Sequence, residues 1–398
     1  MSLRYCTAGE SHGPLLMTLV EGVPAGLNLD GECIAADLAR RQGGYGRGGR
    51  MKIETDRAEL LGGVRWGRTT GAPLLLGVRN RDWENWQQGM SPEASGRGSV
   101  PAVTQVRPGH ADLPGVLKYD LDDARNVLER ASARETASRV AAGAVAKALL
   151  AEFGIYVGSF VTGVGEVVAA WDPEGDLASL HQRAEGSRLR MPDSEADARA
   201  VALVDATRDR GDTLGGTFVC FAKGVPVGLG THTTAEGRLD GRLGQAFLSI
   251  PAIKGVALGM GFDGARLPGS RVHDEILPGG AADGRRGGVK RATNRAGGIE
   301  GGISNGEDVW VEAAMKPIPT LMSPLRTVDL VTGEPVTASV ERSDVCAVAA
   351  ASVVGEAALA FELARAFIEK FGGDCVGDMH RALESYLDRI NGRWSAGP

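Results

Sequence analysis

The chain has 398 residues, a formal net charge of −6, 43% hydrophobic and 24% charged residues. That content supports a sizeable core, and the acidic balance argues against nucleic acid as the main partner. No run reaches the ~18 apolar residues of a membrane helix, and the N-terminal MSLRYCTAGESHG lacks the apolar stretch of a signal peptide. Five scattered cysteines without a CxxC pair suit reduced thiols, so a cytoplasmic location is expected, with neither a disulfide framework nor a zinc site. Glycine, at 58 residues, is roughly twice as common as usual, which implies many loops that approach a ligand or another backbone closely.

In chain order, the first candidate is GESHG (Gly9 to Gly13), which places Ser11 and His12 in a turn where an imidazole can work as acid or base. LLMTLVEGVPAGL then reads as a strand ending in a glycine turn. RRQGGYGRGGR follows (Arg40 to Arg50), with four arginines on a pliable backbone. It suits a loop that closes over a phosphate or carboxylate. An RGG-type RNA-binding segment and a solvated loop are the other readings. RPGHAD sets Arg107 and His110 in a second constrained loop.

A long Ala-rich helix is expected from about Asp122 to Phe153, stopping at Gly154. Within it, ERASARETASR puts Arg130 and Arg134 four apart on one face. Two arginines there suit an arriving anion, but on helix grounds alone ion pairs with Glu129 and Glu135 are the favoured account. Residues 172–212 are polar, poor in glycine and helical in pattern, a surface excursion in which His181 is structural or solvated. GTFVCFAKGVPVGL and VWVEAAM read as strands. GGIEGGISNGED and MKPIPT (Gly297 to Thr320) form a glycine-rich wall stiffened by Pro317 and Pro319. A second long helix runs from about Ser343 to Phe371 and stops at Gly372.

GVPAGL returns as GVPVGL, and ERAS (Glu129 to Ser132) returns as ERSD (Glu341 to Asp344), in the same order and at comparable separation. We read an internal duplication: one α+β domain of two halves, about 1–170 and 213–372, forming a β-α-β sandwich with a pseudo-twofold axis and central long helices. HExxH, GxGxxG, P-loop and GxSxG patterns are absent. On residues alone, a phosphate-handling lyase, an RNA-binding protein and a flavin oxidoreductase all stay open.

GESHGPLLMTLVEGVP, RRQGGYGRGGR, RPGHADLPGVLKY, ERASARETASRVAAGAVAK, GGIEGGISNGED, MKPIPT and VERSDVCAVAAASVVGEAAL, in this order from Thr7 to about Leu363, resemble the chorismate synthase family. The resemblance implies a carbon–oxygen lyase that converts 5-enolpyruvylshikimate 3-phosphate to chorismate and phosphate by anti-1,4-elimination. It also implies a requirement for reduced FMN and a homotetramer. By motif, His12 protonates the departing phosphate, His110 holds a proton near the flavin, and Asp344 assists proton removal from the ring through flavin N5. Contacts to FMN fall on Arg130, Ala131, Ser132, Pro251, Ala252, Gly301, Lys316, Pro317, Ile318, Pro319, Thr320 and Arg342. Ser11, Arg41, Arg47, Arg107 and Arg134 meet the small-molecule substrate, or a nicotinamide nucleotide at Arg41 and Arg47. NADPH is a candidate reductant. With no reductase domain in the sequence, an external flavin reductase is expected. Many members have serine where Ala131 stands and asparagine where Pro251 stands, so only backbone contacts are carried over there. No metal, nucleic-acid or membrane partner is implied.

Overall fold

A computed structural model describes residues 2–48, 55–279, 284–340 and 344–394. Strands β1 (Arg4–Ala8) and β2 (Leu15–Glu21) are followed by α1 (Gly31–Gln42), β3 (Ala58–Gly62) and β4 (Leu74–Arg79). Next come α2 (Asp112–Tyr119), α3 (Arg125–Ala131) and α4 (Thr136–Glu152). The second half begins with β5 (Tyr156–Val164), α5 (Leu177–Glu185) and α6 (Ser194–Asp209). It continues through β6 (Gly216–Lys223), α7 (Leu239–Leu248), β7 (Ile253–Leu258), β8 (Val309–Met315), α8 (Val348–Phe371) and α9 (Val376–Asn391).

Two large sheets result, ordered β1-β2-β4-β3 and β5-β6-β8-β7, the latter extended beyond β5 by Val167–Val168. Setting α2, α3, α5 and α6 aside, each half runs strand, strand, helix, strand, strand, long helix, with the same strand order and antiparallel pairing throughout. The repeated GVP motifs leave β2 and β6 at equivalent points. Gly22 and Gly224 both have φ of +82°, and a Cβ on either would stand 2.6 Å from a backbone oxygen, that of Ser2 or Gly154. The glycine recurs because the turn admits no side chain.

The sheets enclose the long helices. α4 packs on β2 and β4, α8 packs on β5 and β6, and the two helices pack on each other. Small residues on all faces make this approach possible: a Cβ on Gly143 would lie 2.2 Å from that of Ala357. Gly143→Ala therefore tests the layer. Helix propensity favours alanine by about 1 kcal/mol, but overlap with a neighbouring backbone costs about 1–3 kcal/mol. The expected result is a lower Tm; a Tm at or above the original would contradict this packing.

Three expectations need correction. The helix expected from Asp122 to Phe153 is two helices, because Ser132 is extended (φ −61°, ψ 142°) and its hydroxyl accepts the Arg134 N–H, capping a short 3-10 turn. Arg130 lies in the last turn of α3 and Arg134 in the 3-10 turn before α4, so they share no helical face. The second long helix starts at Val348, not Ser343. Ahead of it, the Val345 N–H donates to Gly46 O and the Leu214 N–H to Val345 O, each 2.8 Å, holding that stretch extended. Both helices do end before left-handed glycines, Gly154 (φ +69°) and Gly372 (φ +66°).

The segment 172–212 is also more than a surface excursion. Leu177, Leu180 and Ala184 of α5 cover the outer face of the second sheet with Phe160, Val219, Phe221 and Trp310. Ala196, Ala200 and Val204 of α6 join the main core. Covered on both faces, β5 and β6 are nearly continuously buried, whereas β2 alternates. His181 is buried in this layer, its Nδ1 2.8 Å from Ser159 O, and burial lowers its pKa. Among the described residues no helix is long and apolar enough to cross a membrane.

Candidate active site

A cleft of about 620 Å³ opens where the two halves meet at the break between α3 and α4. Its lining gathers Ser11, His12, Arg41, Arg47, Arg107 and His110 with Ala131 and Ser132 at the helix break. Opposite lie Pro251, Ala252, Lys316, Ile318, Pro319 and Thr320, and Asp344 stands ahead of α8. Among the described residues, five cationic side chains (Arg41, Arg47, Arg107, Lys254, Lys316) line it against one carboxylate, Asp344. A net acidic chain thus holds a locally positive pocket.

The two imidazoles share one design. His12 Nδ1 lies 2.8 Å from Oε1 of Glu129, a residue 2% exposed, and the His12 backbone N–H donates to the same carboxylate. His110 Nδ1 lies 2.5 Å from Oδ1 of the fully buried Asp112. Burial works to raise the Asp112 pKa, but hydrogen bonds from His110 and Arg107 hold it well below the usual carboxylate range. A carboxylate acceptor at Nδ1 favours the tautomer with its proton on that nitrogen, which makes Nε2 the ring's other working nitrogen. Beside His12, the Ser11 and Ser132 hydroxyls are 3.1 Å apart.

The arginines divide by depth. Arg41 is anchored at the end of α1, donating to Thr136 Oγ1 and Ala133 O, each at 2.8 Å. Burial, together with Arg47 and Arg134 and against Asp56, pushes its pKa down to about 10, so it remains cationic at neutral pH. Arg47 Nε lies 3.3 Å from Asp344 Oδ2, while the other Asp344 oxygen accepts the Gly48 N–H at 2.6 Å. Asp344 thereby ties the glycine-rich loop to the approach of α8. The loop's glycines serve this packing: Gly44 has φ +102°, and a Cβ there would meet that of Ala349 at 2.8 Å. Arg107 donates to both Asp112 oxygens, at 2.8 and 3.1 Å, and to Thr320 Oγ1 at 3.3 Å.

On the far wall, Ala252 holds a left-handed conformation (φ +68°), strained for a residue with a Cβ, and its carbonyl accepts the Lys316 N–H at 2.9 Å. Lys316 Nζ donates to Gly109 O at 2.9 Å, spanning the cleft to the His110 loop. Burial, then Lys254, lowers its pKa. Between these polar groups, Leu248, Ile250, Pro251, Ile318 and Pro319 give apolar surface. Apolar walls with cationic ends suit a planar ring system carrying a phosphate, so the residues fit a flavin mononucleotide.

Other expected residues lie elsewhere. Arg134 is buried beneath Arg41, bonded to Asp56 at 2.5 Å and Asn80 at 2.9 Å, and supports the site without lining it. Arg130 turns back to β1, donating to Thr7 O at 2.9 Å and Gly9 O at 3.2 Å. The Gly301 carbonyl accepts from Arg238 where α7 begins, whereas Leu248 at the other end of α7 lines the cleft. Ten residues of helix separate those ends by about 15 Å. Pro317 sits in the wall segment without lining it, and Arg342 falls outside the described residues. Arg40, first in the arginine-glycine stretch, belongs to the core, where it donates to Glu356 at 2.8 and 2.9 Å. Sequence alone marked neither Glu129 nor Asp112 as an imidazole partner, nor Lys254 as a lining residue. The first two stand inside quoted motifs but look like ordinary acidic neighbours, and Lys254 has no local signal.

Residues 3–368 match the family described as chorismate synthase. A protein named chorismate synthase from Geobacter sulfurreducens is 57% identical over 390 residues, covering 98% of this chain and 99% of its own. One of the same name from Aquifex aeolicus is 52% identical over 396 residues, covering 98% of each. A crystal structure titled chorismate synthase superposes with a TM-score of 0.79 at 42% identity, over 98% of this chain and 99% of that one.

Proposed function

The chain belongs to the chorismate synthase family, and we propose that the cleft described above is where it binds reduced FMN and substrate together. It is a carbon–oxygen lyase of the shikimate pathway, which eliminates phosphate from 5-enolpyruvylshikimate 3-phosphate to give chorismate. The observation that carries the site reading is the convergence, among the described residues, of two carboxylate-anchored imidazoles with five cationic side chains against one carboxylate. A substrate with one phosphate and two carboxylates brings about four negative charges at neutral pH, and burying them unpaired would be costly.

Reduced FMN, when bound, supplies transient electron density that helps the phosphate leave and is recovered as the ring proton departs. The chain's residues do the rest. Arg41 and Arg47 bind the phosphate and carboxylate oxygens, with Arg107 holding the His110 loop beside them. His12 delivers a proton from Nε2 to the departing phosphate, and Ser11 and Ser132 order the oxygens next to it. His110 would hold a proton at Nε2 where the flavin binds, and Asp344 would assist removal of the ring proton. Pro251, Ala252 and the 316–320 segment present backbone and apolar surface to the flavin.

The same reading includes an external reductant, through NADPH and a separate flavin reductase, and a cytoplasmic location. It also includes a homotetramer: the outer face of the first sheet leaves Leu19 39% and Leu61 49% exposed, apolar surface that a second copy would cover.

Anaerobic incubation of the purified chain with 5-enolpyruvylshikimate 3-phosphate and chemically reduced FMN tests the activity. One phosphate per chorismate is expected, with the flavin still reduced at the end; intact substrate after many enzyme equivalents of time would defeat the reading. In the same assay Arg47→Ala is expected to raise KM about 10- to 100-fold with a smaller change in kcat, since a charge-assisted hydrogen bond is worth about 1.5–3 kcal/mol. An unchanged KM would mean that the loop does not grip the substrate.

A further inference from the structure

We propose that Glu129 is a positioning residue for His12, an inference that rests on reading His12 as the acid toward the departing phosphate. Glu129 closes on the His12 turn through three contacts. Its carbonyl accepts the Ser11 N–H at 3.0 Å, its carboxylate accepts the His12 N–H at 2.8 Å, and its Oε1 lies 2.8 Å from the ring Nδ1. The carboxylate is nearly inaccessible, with 1% of the side chain exposed, while the His12 side chain keeps 20%. A carboxylate buried without partners would be strongly unfavourable, so this contact fixes the ring as much as the ring satisfies the acid.

The remaining surroundings leave His12 one working direction. Trp86 stacks on the ring at 4.3 Å and 32°, and Arg125 lies over Trp86 at 5.0 Å and 3.6 Å from Glu129. Asp82 Oδ2 is 4.0 Å from Nε2, too far for a hydrogen bond, so Nε2 is not tied down by it. A neutral imidazole has two tautomers, and an acceptor at Nδ1 selects the one with its proton there. On protonation the second proton then sits on Nε2. The same arrangement recurs at His110, whose Nδ1 meets Asp112 on the loop's own chain at 2.5 Å. Glu129 instead comes from 117 residues away, so the His12 contact depends on the first half being folded.

The test compares Glu129→Gln in the native background and in His12→Ala, with kcat and KM measured under reduced flavin and the His12 ring nitrogens followed by 15N NMR. Loss of the ionised acceptor is expected to lower kcat about 10- to 100-fold, as outer-shell changes typically do, with KM within about twofold. In His12→Ala the same change is expected to alter kcat less than about twofold, because residues acting as one unit are not additive. NMR is expected to show Nδ1–H in the native protein and mixed tautomers in Glu129→Gln. Glu129→Asp, which keeps the charge and withdraws it by one methylene, gives the same comparison should Gln impair folding. A full further loss in the His12→Ala background, or an unchanged tautomer with unchanged kcat, overturns the inference alone. An unaltered kcat in His12→Ala by itself overturns the underlying reading and this inference with it.

Discussion

Replacing His12 by alanine is expected to lower kcat about 10²- to 10⁴-fold, the span typical of a lost general acid, with the fold intact. Stability should hold because Glu129 keeps the backbone N–H at residue 12 and Arg125 at 3.6 Å. His110→Ala is expected to behave alike, since Arg107 still satisfies both Asp112 oxygens. Single-turnover chorismate formation with reduced flavin separates this chemistry from binding, and circular dichroism checks the fold. Native turnover in both variants would remove the imidazoles from the mechanism.

The largest expected loss of stability lies away from the cleft, at Glu356 on α8. This residue is 1% exposed and accepts from Arg40 at 2.8 and 2.9 Å, Lys147 at 2.5 Å and Ser159 at 2.9 Å. It joins α1, α4, β5 and α8 at the centre of the sandwich. Truncating one partner of such a cluster leaves buried cations uncompensated and costs about 3–5 kcal/mol, so Glu356→Ala should unfold at markedly lower urea. Burial works to raise the Glu356 pKa, yet Lys147, Arg40 and Arg190 outweigh it and hold it well below the ordinary 4.5. A carboxyl with a lower value folded than unfolded contributes stability above the unfolded value and loses it as pH falls through the folded one. The native chain should therefore shed this contribution only below pH 4.5, and the variant's acid limb should be flatter. Equal urea midpoints at pH 7 would show that the cluster is not stabilising in this sense.

What the sequence made legible follows from how local each signal is. The strands after GESHG and before GVPVGL, the helix stops at Gly154 and Gly372 and the duplicated order rest on period, punctuation and repetition. The break at Ser132 was hidden because helix-forming residues flank it and only a capping hydrogen bond decides the conformation. α5 and α6 looked like surface because polar residues alternate with small ones, and nothing local says that Leu177 and Ala184 cover a sheet. The cleft residues came from motifs, since no periodicity places Arg47, His110 and Ala252 together. Motifs also named Arg130 and Gly301, which do not line this cleft, and missed supports such as Glu129, whose partner is remote in the chain.

Diffraction from crystals grown with FMN and 5-enolpyruvylshikimate 3-phosphate together tests the shared pocket most directly. The flavin ring should lie between the Pro251–Ala252 turn and the Ile318–Pro319 segment, with the substrate phosphate within hydrogen-bonding distance of His12 Nε2 and the Arg47 guanidinium. Ligand density beside Gly301, or a phosphate remote from both His12 and Arg47, would contradict it.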